Sequence, residues 1–273
     1  MAVYVITGVS RGIGFEFLHQ LSKDPNNTIV GIVRDKSTTL SKVSEDAELK
    51  GRSNIHILEA DLTSYDALKN AAAETAKITG GAIDYLIGNA GYISHFDAYD
   101  PISVLGEKPK ELESELTKLI NIHVVANIHL YNLFMPLILA GKTKKVIVIS
   151  SGFADLDLTN KFDLDLSALY AISKSAMNMV TAKFSAEYKK QGVLFLSICP
   201  GMVDVGHYKN STPEQLQSLG GGLVKFADYA PNFKGPDTPE ASTQAVKSVW
   251  EKASVDNGDG GAFLSHFGNK QWL

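Results

Sequence analysis

Seven short apolar runs, rich in β-branched residues, recur along the chain: Val3–Thr7, Thr28–Val33, Asn54–Glu59, Ile83–Ile87, Lys145–Ser150, Val193–Cys199 and Ala262–Leu264. Most are continuous rather than alternating, the pattern of strands covered on both faces of a parallel sheet. Between them, apolar residues return every three or four positions. Ile13, Phe17 and Leu21 form one such stripe, Ile120, Val124, Ile128 and Tyr131 a second, and Ala176, Val180, Phe184 and Tyr188 a third. Each predicts a helix with one face turned to a core. Strand and helix in regular alternation predict an α/β fold, a doubly wound, mostly parallel sheet of seven strands with helices on both faces.

One stretch breaks this rhythm. Val203–Lys234 fits neither period well, and Pro, Gly and Asp accumulate between Gly220 and Pro239. Too few residues follow it for a second core, so the chain reads as a single domain, 1–273, with a substrate-binding loop region at about 203–235. Met202, His207, Tyr208, Leu216, Leu219, Leu223, Phe226 and Tyr229 lie in or beside it. They suit a mobile apolar lid over a hydrophobic or aromatic compound, or equally a helix pair packed on the sheet edge.

Composition narrows the function. With 273 residues, 44% of them apolar and 21% charged, the chain can bury a sizeable core and is neither disordered nor a coiled coil. Twenty-six basic against 30 acidic side chains leave a net charge of −4, so no positive surplus is available for nucleic acid or an anionic membrane. A single cysteine, Cys199, excludes an internal disulfide framework and fits a reducing compartment. The apolar start Val3–Thr7 is too short to span a bilayer and lacks a signal peptide's basic flank, so a cytoplasmic protein is expected. His19, His123, His129 and His207 show no metal-ligand spacing and are read as packed or solvent-facing; no metal is expected.

Two local patterns carry chemistry. Thr7-Gly8-Val9-Ser10-Arg11-Gly12-Ile13-Gly14 follows the first strand and opens the first helix. Glycine there permits a tight turn and close approach of backbone to a diphosphate, which the helix N-terminus favours. Tyr170 and Lys174 are four apart and share one helix face. A free phenol, with a pKa of about 10, is a poor proton donor and acceptor near neutrality. A nearby ammonium would lower that value and let the tyrosine protonate a carbonyl oxygen.

The spacing Gly-x-x-x-Gly-x-Gly, rather than Gly-x-Gly-x-x-Gly, resembles the cofactor turn of the classical short-chain dehydrogenases/reductases. Further landmarks follow in that family's order: Asp61-Leu62-Thr63, Gly88-Asn89-Ala90-Gly91, Asn121, Ser150-Ser151, Tyr170-Ala171-Ile172-Ser173-Lys174 and Pro200-Gly201. The match covers roughly 3–205. Arg11, Arg34 and the stretch around Trp272 resemble fungal norsolorinic acid ketoreductases and sniffer-type carbonyl reductases.

The resemblance implies a Rossmann-type fold and a nicotinamide cofactor held by Thr7, Gly8, Ser10, Arg11, Gly12, Ile13 and Gly14. Arg34, Asp61, Leu62, Asn89, Ala90 and Gly91 would continue that site, with Tyr170, Lys174, Pro200, Gly201 and Val203 completing it. Aligned with the family, Val33 stands where an acidic residue selects NAD, and Arg34 where a guanidinium meets the 2′-phosphate, so NADPH/NADP+ is expected. Asp35 could act as an NAD-type acid if the strand ends one residue later. Tyr170 would be the general acid, Ser151 the oxyanion donor with Ser150 the fallback, Lys174 the ribose ligand and Asn121 the holder of a relay water. Two departures stand out. The segment from Ser151 to Tyr170 is long and carries Asp155, Asp157, Asp163 and Asp165, and Val205 replaces a threonine expected to touch the carboxamide.

These implications give an NADPH-dependent reductase of ketones or aldehydes with a small-molecule carbonyl substrate, expected as a homodimer or homotetramer. The alternatives are an NADP-binding regulator without chemistry and an imine or enone reductase.

Overall fold

The first apolar run, Val3–Thr7 (β1), is an interior strand of one seven-stranded sheet in which every neighbouring pair is parallel. The other strands are β2 (Thr28–Val33), β3 (Ile55–Glu59), β4 (Tyr85–Gly88), β5 (Lys145–Ile149), β6 (Leu194–Cys199) and β7 (Phe263–Ser265). The computed structural model describes residues 1–273, except for the side chains at 222, 223, 226 and 227, so Leu223 and Phe226 lie outside the described residues. The strand order is β3-β2-β1-β4-β5-β6-β7. Direction of winding reverses between β1 and β4, which opens a crevice beyond their carboxyl ends.

Ten α-helices connect these strands: α1 (Gly12–Leu21), α2 (Lys36–Glu45), α3 (Tyr65–Thr79), α4 (Ile102–Leu105), α5 (Pro109–Ile120), α6 (Ala126–Ala140), α7 (Leu156–Phe162), α8 (Ala168–Tyr188), α9 (Pro213–Tyr229) and α10 (Pro239–Lys252). The pleat divides the strand side chains between two cores. Tyr4 and Ile6 of β1 join Phe17 of α1 and Trp250 of α10 on one face. Val5 faces the other way, with Leu68 of α3 and Tyr131 and Phe134 of α6. Continuous apolar strands are thus required by helices on both sides.

Between α5 and α6 the helix does not stop but widens into one π-helical turn, Asn121–Val125. That turn accommodates an extra residue, so the period expected from Ile120, Val124 and Ile128 slips. Those three are only half buried, whereas Leu119, His123, Asn127 and Leu130 are buried. The continuous run Pro109–Ala140 is long and apolar enough to cross a bilayer by length and composition; half of its apolar window is buried inside this fold.

The irregular stretch after β6 forms one helix, α9, instead of a pair. Its base is closed by a parallel bridge between Val203 and Asp237. Asp237 N donates to Met202 O at 2.8 Å and Asp204 N to Asp237 O at 2.9 Å.

Candidate active site

The glycine turn sits at the mouth of the β1–β4 crevice and is braced from β4. Thr7 Oγ1 accepts the Asn89 and Ala90 backbone N–H groups at 3.1 and 3.0 Å. The Asn89 amide donates to Thr7 O at 3.0 Å and Gly8 O at 3.2 Å. Gly8 has φ +76°, and a Cβ there would stand 2.8 Å from the Ala90 Cα. At Gly14 a Cβ would strike the Gly8 carbonyl and the Asn89 amide. Glycine is therefore demanded at both positions by the close approach of the two loops. Arg11 caps α1 with extended backbone and no side-chain cap bond, and the first turn carries no acidic residue. The helix-start N–H groups are thus left for an anionic ligand, which fits a dinucleotide diphosphate.

At the end of β2, Arg34 is exposed, and neither it nor Arg11 forms an ion pair among the described residues. Asp35, by contrast, is already engaged. It caps α2, accepting from the Thr38 hydroxyl at 2.6 Å and the Thr38 N–H at 2.9 Å, and these bonds hold its carboxyl below the usual range. Asp61 is turned inward on its own loop: Oδ1 accepts from Thr63 N at 2.8 Å and Thr63 Oγ1 at 2.7 Å. Leu62 packs at the edge of the α3–α6 core.

Three side chains meet above the carboxyl end of β5. Ser150 is buried and donates to Asn178 Oδ1 at 2.7 Å, facing α8. By the pleat, Ser151 points the opposite way. Its hydroxyl accepts from Phe153 N at 3.3 Å and bears on the Tyr170 phenol, which it shifts toward ionisation. One turn along α8 from Tyr170, the Lys174 Nζ lies 5.7 Å from the tyrosine ring centroid and donates to Ile149 O at 2.8 Å.

The electrostatics run against the simple expectation of an ammonium that lowers a phenol. Burial raises the Tyr170 pKa well above an ordinary phenol, with the Cys199 and Tyr208 charges adding to it. Burial also lowers Lys174 to about 7. Desolvation penalises both charged forms and is the leading cause of each shift. The phenol is consequently kept protonated.

The role expected of Asn121 is not supported by its position. Asn121 is exposed at the start of the π-turn, and His123 two residues on occupies the interior. The wider turn is the physical reason, because it rotates the side chains past the register that a plain α-helix would give. His123 Nε2 accepts the Tyr92 N–H at 3.0 Å, and Nδ1 is 2.8 Å from Ser173 Oγ. Sequence reading missed this residue, having assigned it to packing. It also missed Asp97, a fully buried carboxylate that accepts the Tyr170 N–H at 2.9 Å and completes the start of α8. Ser167, at that helix start, has φ +55° and offers no side-chain cap. No local pattern signals a cap supplied from 73 residues away.

The loop after β6 closes the site. Pro200 is buried, with its carbonyl accepting the Ser242 hydroxyl at 2.7 Å, and Gly201, at φ +79°, has no room for a Cβ against His266. Val205 Cγ1 lies 3.2 Å from where a Gly12 Cβ would be, an apolar contact between this loop and the glycine turn. His207 stacks on His95 of the β4 loop with centroids 4.4 Å apart and planes 11° apart. Behind Ser151, Trp272 lies against Gly152, stacks on Phe263 at 4.3 Å and donates its N–H to the Tyr229 hydroxyl at 2.6 Å. In the long Ser151–Tyr170 segment, Asp155 caps α7 and Asp165 pairs with Lys225 of α9 at 2.6 Å.

A topological-switch crevice, a glycine turn and a Ser–Tyr–Lys cluster define a class of nucleotide-dependent oxidoreductase. The chain belongs to the short-chain dehydrogenase family, whose model matches residues 2–216. Over the full length of both chains it is 62% identical to "Short chain dehydrogenase virK" of Hypocrea virens and 55% identical to "Short-chain dehydrogenase/reductase iacC" of Pestalotiopsis fici. Its fold is similar to NADPH-bound carbonyl reductase from chicken fatty liver, with a TM-score of 0.76 at 21% identity and 98% of each chain covered. Carbonyl reductase Sniffer of Drosophila melanogaster gives 0.75 at 21% identity, again with 98% of each chain covered. The protein is an oxidoreductase of this family, with the family's nicotinamide cofactor.

Proposed function

We propose that the protein is an NADPH-dependent carbonyl reductase that converts a ketone or aldehyde on a hydrophobic or aromatic small molecule to the alcohol. The observation that carries this reading is the convergence of Ser151, Tyr170 and Lys174 beyond the carboxyl end of β5. Reduction needs a proton donor at the developing alkoxide; Lys174, with the positive nicotinamide left by hydride transfer, would lower the phenol's raised pKa and let it give up its proton. A bound dihydronicotinamide would supply hydride to the carbonyl carbon. Tyr170 donates its proton to the oxygen, Ser151 hydrogen-bonds that oxygen, and Lys174 stands one turn below to orient a ribose and refill the acid.

Arg11 and Arg34 favour NADPH over NADH, since neither forms an ion pair among the described residues, while Asp35 is occupied as a helix cap. The rings of His95, His207, Tyr99 and Tyr208 at the site's mouth suit a planar or apolar substrate. A cytoplasmic homo-oligomer belongs to the same reading. Ile172 and Met179 of α8 and Val125 of the π-turn leave apolar surface exposed for a second copy. The test is NADPH oxidation by the purified protein across aliphatic and aromatic ketones, diketones and quinones, with NADH in parallel. Turnover with NADPH and an aromatic ketone supports the reading; tight NADPH binding with no turnover on any carbonyl favours a sensor instead.

A further inference from the structure

The turn after β4 and the helix that carries Tyr170 meet at a buried imidazole to which the proton-transfer roles assign nothing. His123 is fully buried. Its Nε2 accepts the Tyr92 N–H at 3.0 Å and therefore carries no proton. A neutral imidazole then holds its proton on Nδ1. Nδ1 lies 2.8 Å from Ser173 Oγ, and that hydroxyl lies 2.8 Å from the Tyr170 carbonyl oxygen, which can only accept. The three bonds consequently run in one direction: Tyr92 N–H to His123, His123 Nδ1–H to Ser173, Ser173 O–H to Tyr170. No other placement of the protons satisfies all three.

Neighbouring groups meet at the same point. A Cβ on Gly91 would stand 3.2 Å from His123 Nε2 and 3.8 Å from Lys174 Nζ, so turn, imidazole and ammonium converge there. The His123 ring meets the Tyr170 ring edge-on, centroids 5.7 Å apart. The Asn127 amide donates to the His123 carbonyl at 2.7 Å and steadies the π-turn that aims the ring inward. Protonation would point N–H at N–H and set a second cation beside Lys174; burial and that charge hold the imidazole pKa at about 2.

We propose that His123, as its Nδ1–H tautomer, is a positioning residue for proton transfer that ties the Gly91–Tyr92 turn to the backbone of Tyr170 and fixes phenol and ammonium against the cofactor-facing turn. The role rests on Tyr170 and Lys174 being the proton-transfer pair. The tautomer does not depend on that.

The test uses the full chain in two arms. In the first, long-range nitrogen–proton NMR on ¹⁵N-histidine-labelled protein is recorded between about pH 5 and about pH 8. A protonated Nδ1 and bare Nε2 across that range, with a slowly exchanging Tyr92 amide, are expected. An Nε2–H tautomer, or titration of this ring in that range, overturns the proposal whether or not any substrate is turned over. The second arm compares kinetics of His123→Leu, His123→Gln and Ser173→Ala. The leucine variant is expected to lose at least about tenfold in kcat for ketone reduction and to shift the pH profile of kcat, with KM for NADPH changed by less than about threefold. Glutamine, which keeps an acceptor for the Tyr92 N–H, should recover part of the loss. Should the leucine variant not fold, Ser173→Ala removes a single oxygen from the chain and should move the profile in the same way. Wild-type kcat and pH profile in Ser173→Ala or His123→Leu overturn the role. Silence of the wild type on every ketone counts against the reductase reading alone, and the NMR arm still decides the tautomer.

Discussion

Lys174 Nζ donates a 2.8 Å hydrogen bond to the carbonyl of Ile149, the residue that ends β5 immediately before Ser150 and Ser151. One bond thus joins the helix bearing Tyr170 to the end of the strand that leads into Ser151. The lysine is buried to make it, and burial sets its charge in competition with folding.

That competition has a measurable sign. Burial brings the Lys174 pKa down from the ordinary lysine value of 10.5 to about 7 in the folded chain. Between these values the unfolded chain holds more protons, so stability rises with pH through this window, by at most about 1.4 kcal/mol per pH unit. Below about pH 7 the whole penalty is present. Lys174→Met removes it. The variant should gain most over wild type near pH 6, and the gain should shrink toward pH 10 in urea melts of the ligand-free protein. A difference that stays constant with pH would contradict the buried-lysine account.

Among the described residues Arg34 forms no ion pair, and the proposed NADPH preference assigns its guanidinium to the 2′-phosphate. Removing a charge-assisted phosphate contact costs about 1.5–3 kcal/mol, or roughly 10- to 150-fold in affinity. Arg34→Ala should raise the Kd for NADPH by that factor and leave NADH within about twofold. Calorimetric titration with both cofactors checks it, and equal losses for the two would remove Arg34 from cofactor selection.

The His95–His207 stack pins the loop after β6 to the loop after β4. Burial, then His95, then Arg11 lower the His207 pKa below the ordinary histidine value of 6.5. An opened loop, freed of those three influences, binds protons more readily, so closure is favoured above that ordinary value and lost as pH falls through the depressed one. Hydrogen-exchange protection of residues 203–212, taken relative to the intrinsic amide rate at each pH, should fall at acidic pH in the wild type. His207→Phe keeps the stack and should flatten that response. Protection that does not change with acidification in the wild type would contradict the pinning.

The strands were the most legible part of the chain. Val3–Thr7 and Thr28–Val33 are runs rich in β-branched residues because helices cover both faces, and the structure reproduces both spans. The glycine turn was readable for the same kind of reason: Gly8 and Gly14 leave no room for a side chain. Which of two adjacent serines faces Tyr170 was not readable, because alternation says that they differ but not which way the strand is turned. His123 was hidden by the π-turn, whose extra residue breaks the helical period on which pattern reading depends. Asp97 was hidden by distance, since it meets Tyr170 only after the β4 loop folds over α8. The stretch after β6 looked irregular because α9 is bounded by a loop and a bridge to Asp237 rather than by another strand of the sheet.

The central claim is that Tyr170 is the proton donor, and Tyr170→Phe tests it most directly. The substitution removes one oxygen and leaves the ring against His123. Single-turnover NADPH oxidation with the best ketone from the panel should fall by about 10²- to 10⁴-fold, while NADPH affinity stays within about threefold. Unchanged turnover in that variant would contradict the mechanism.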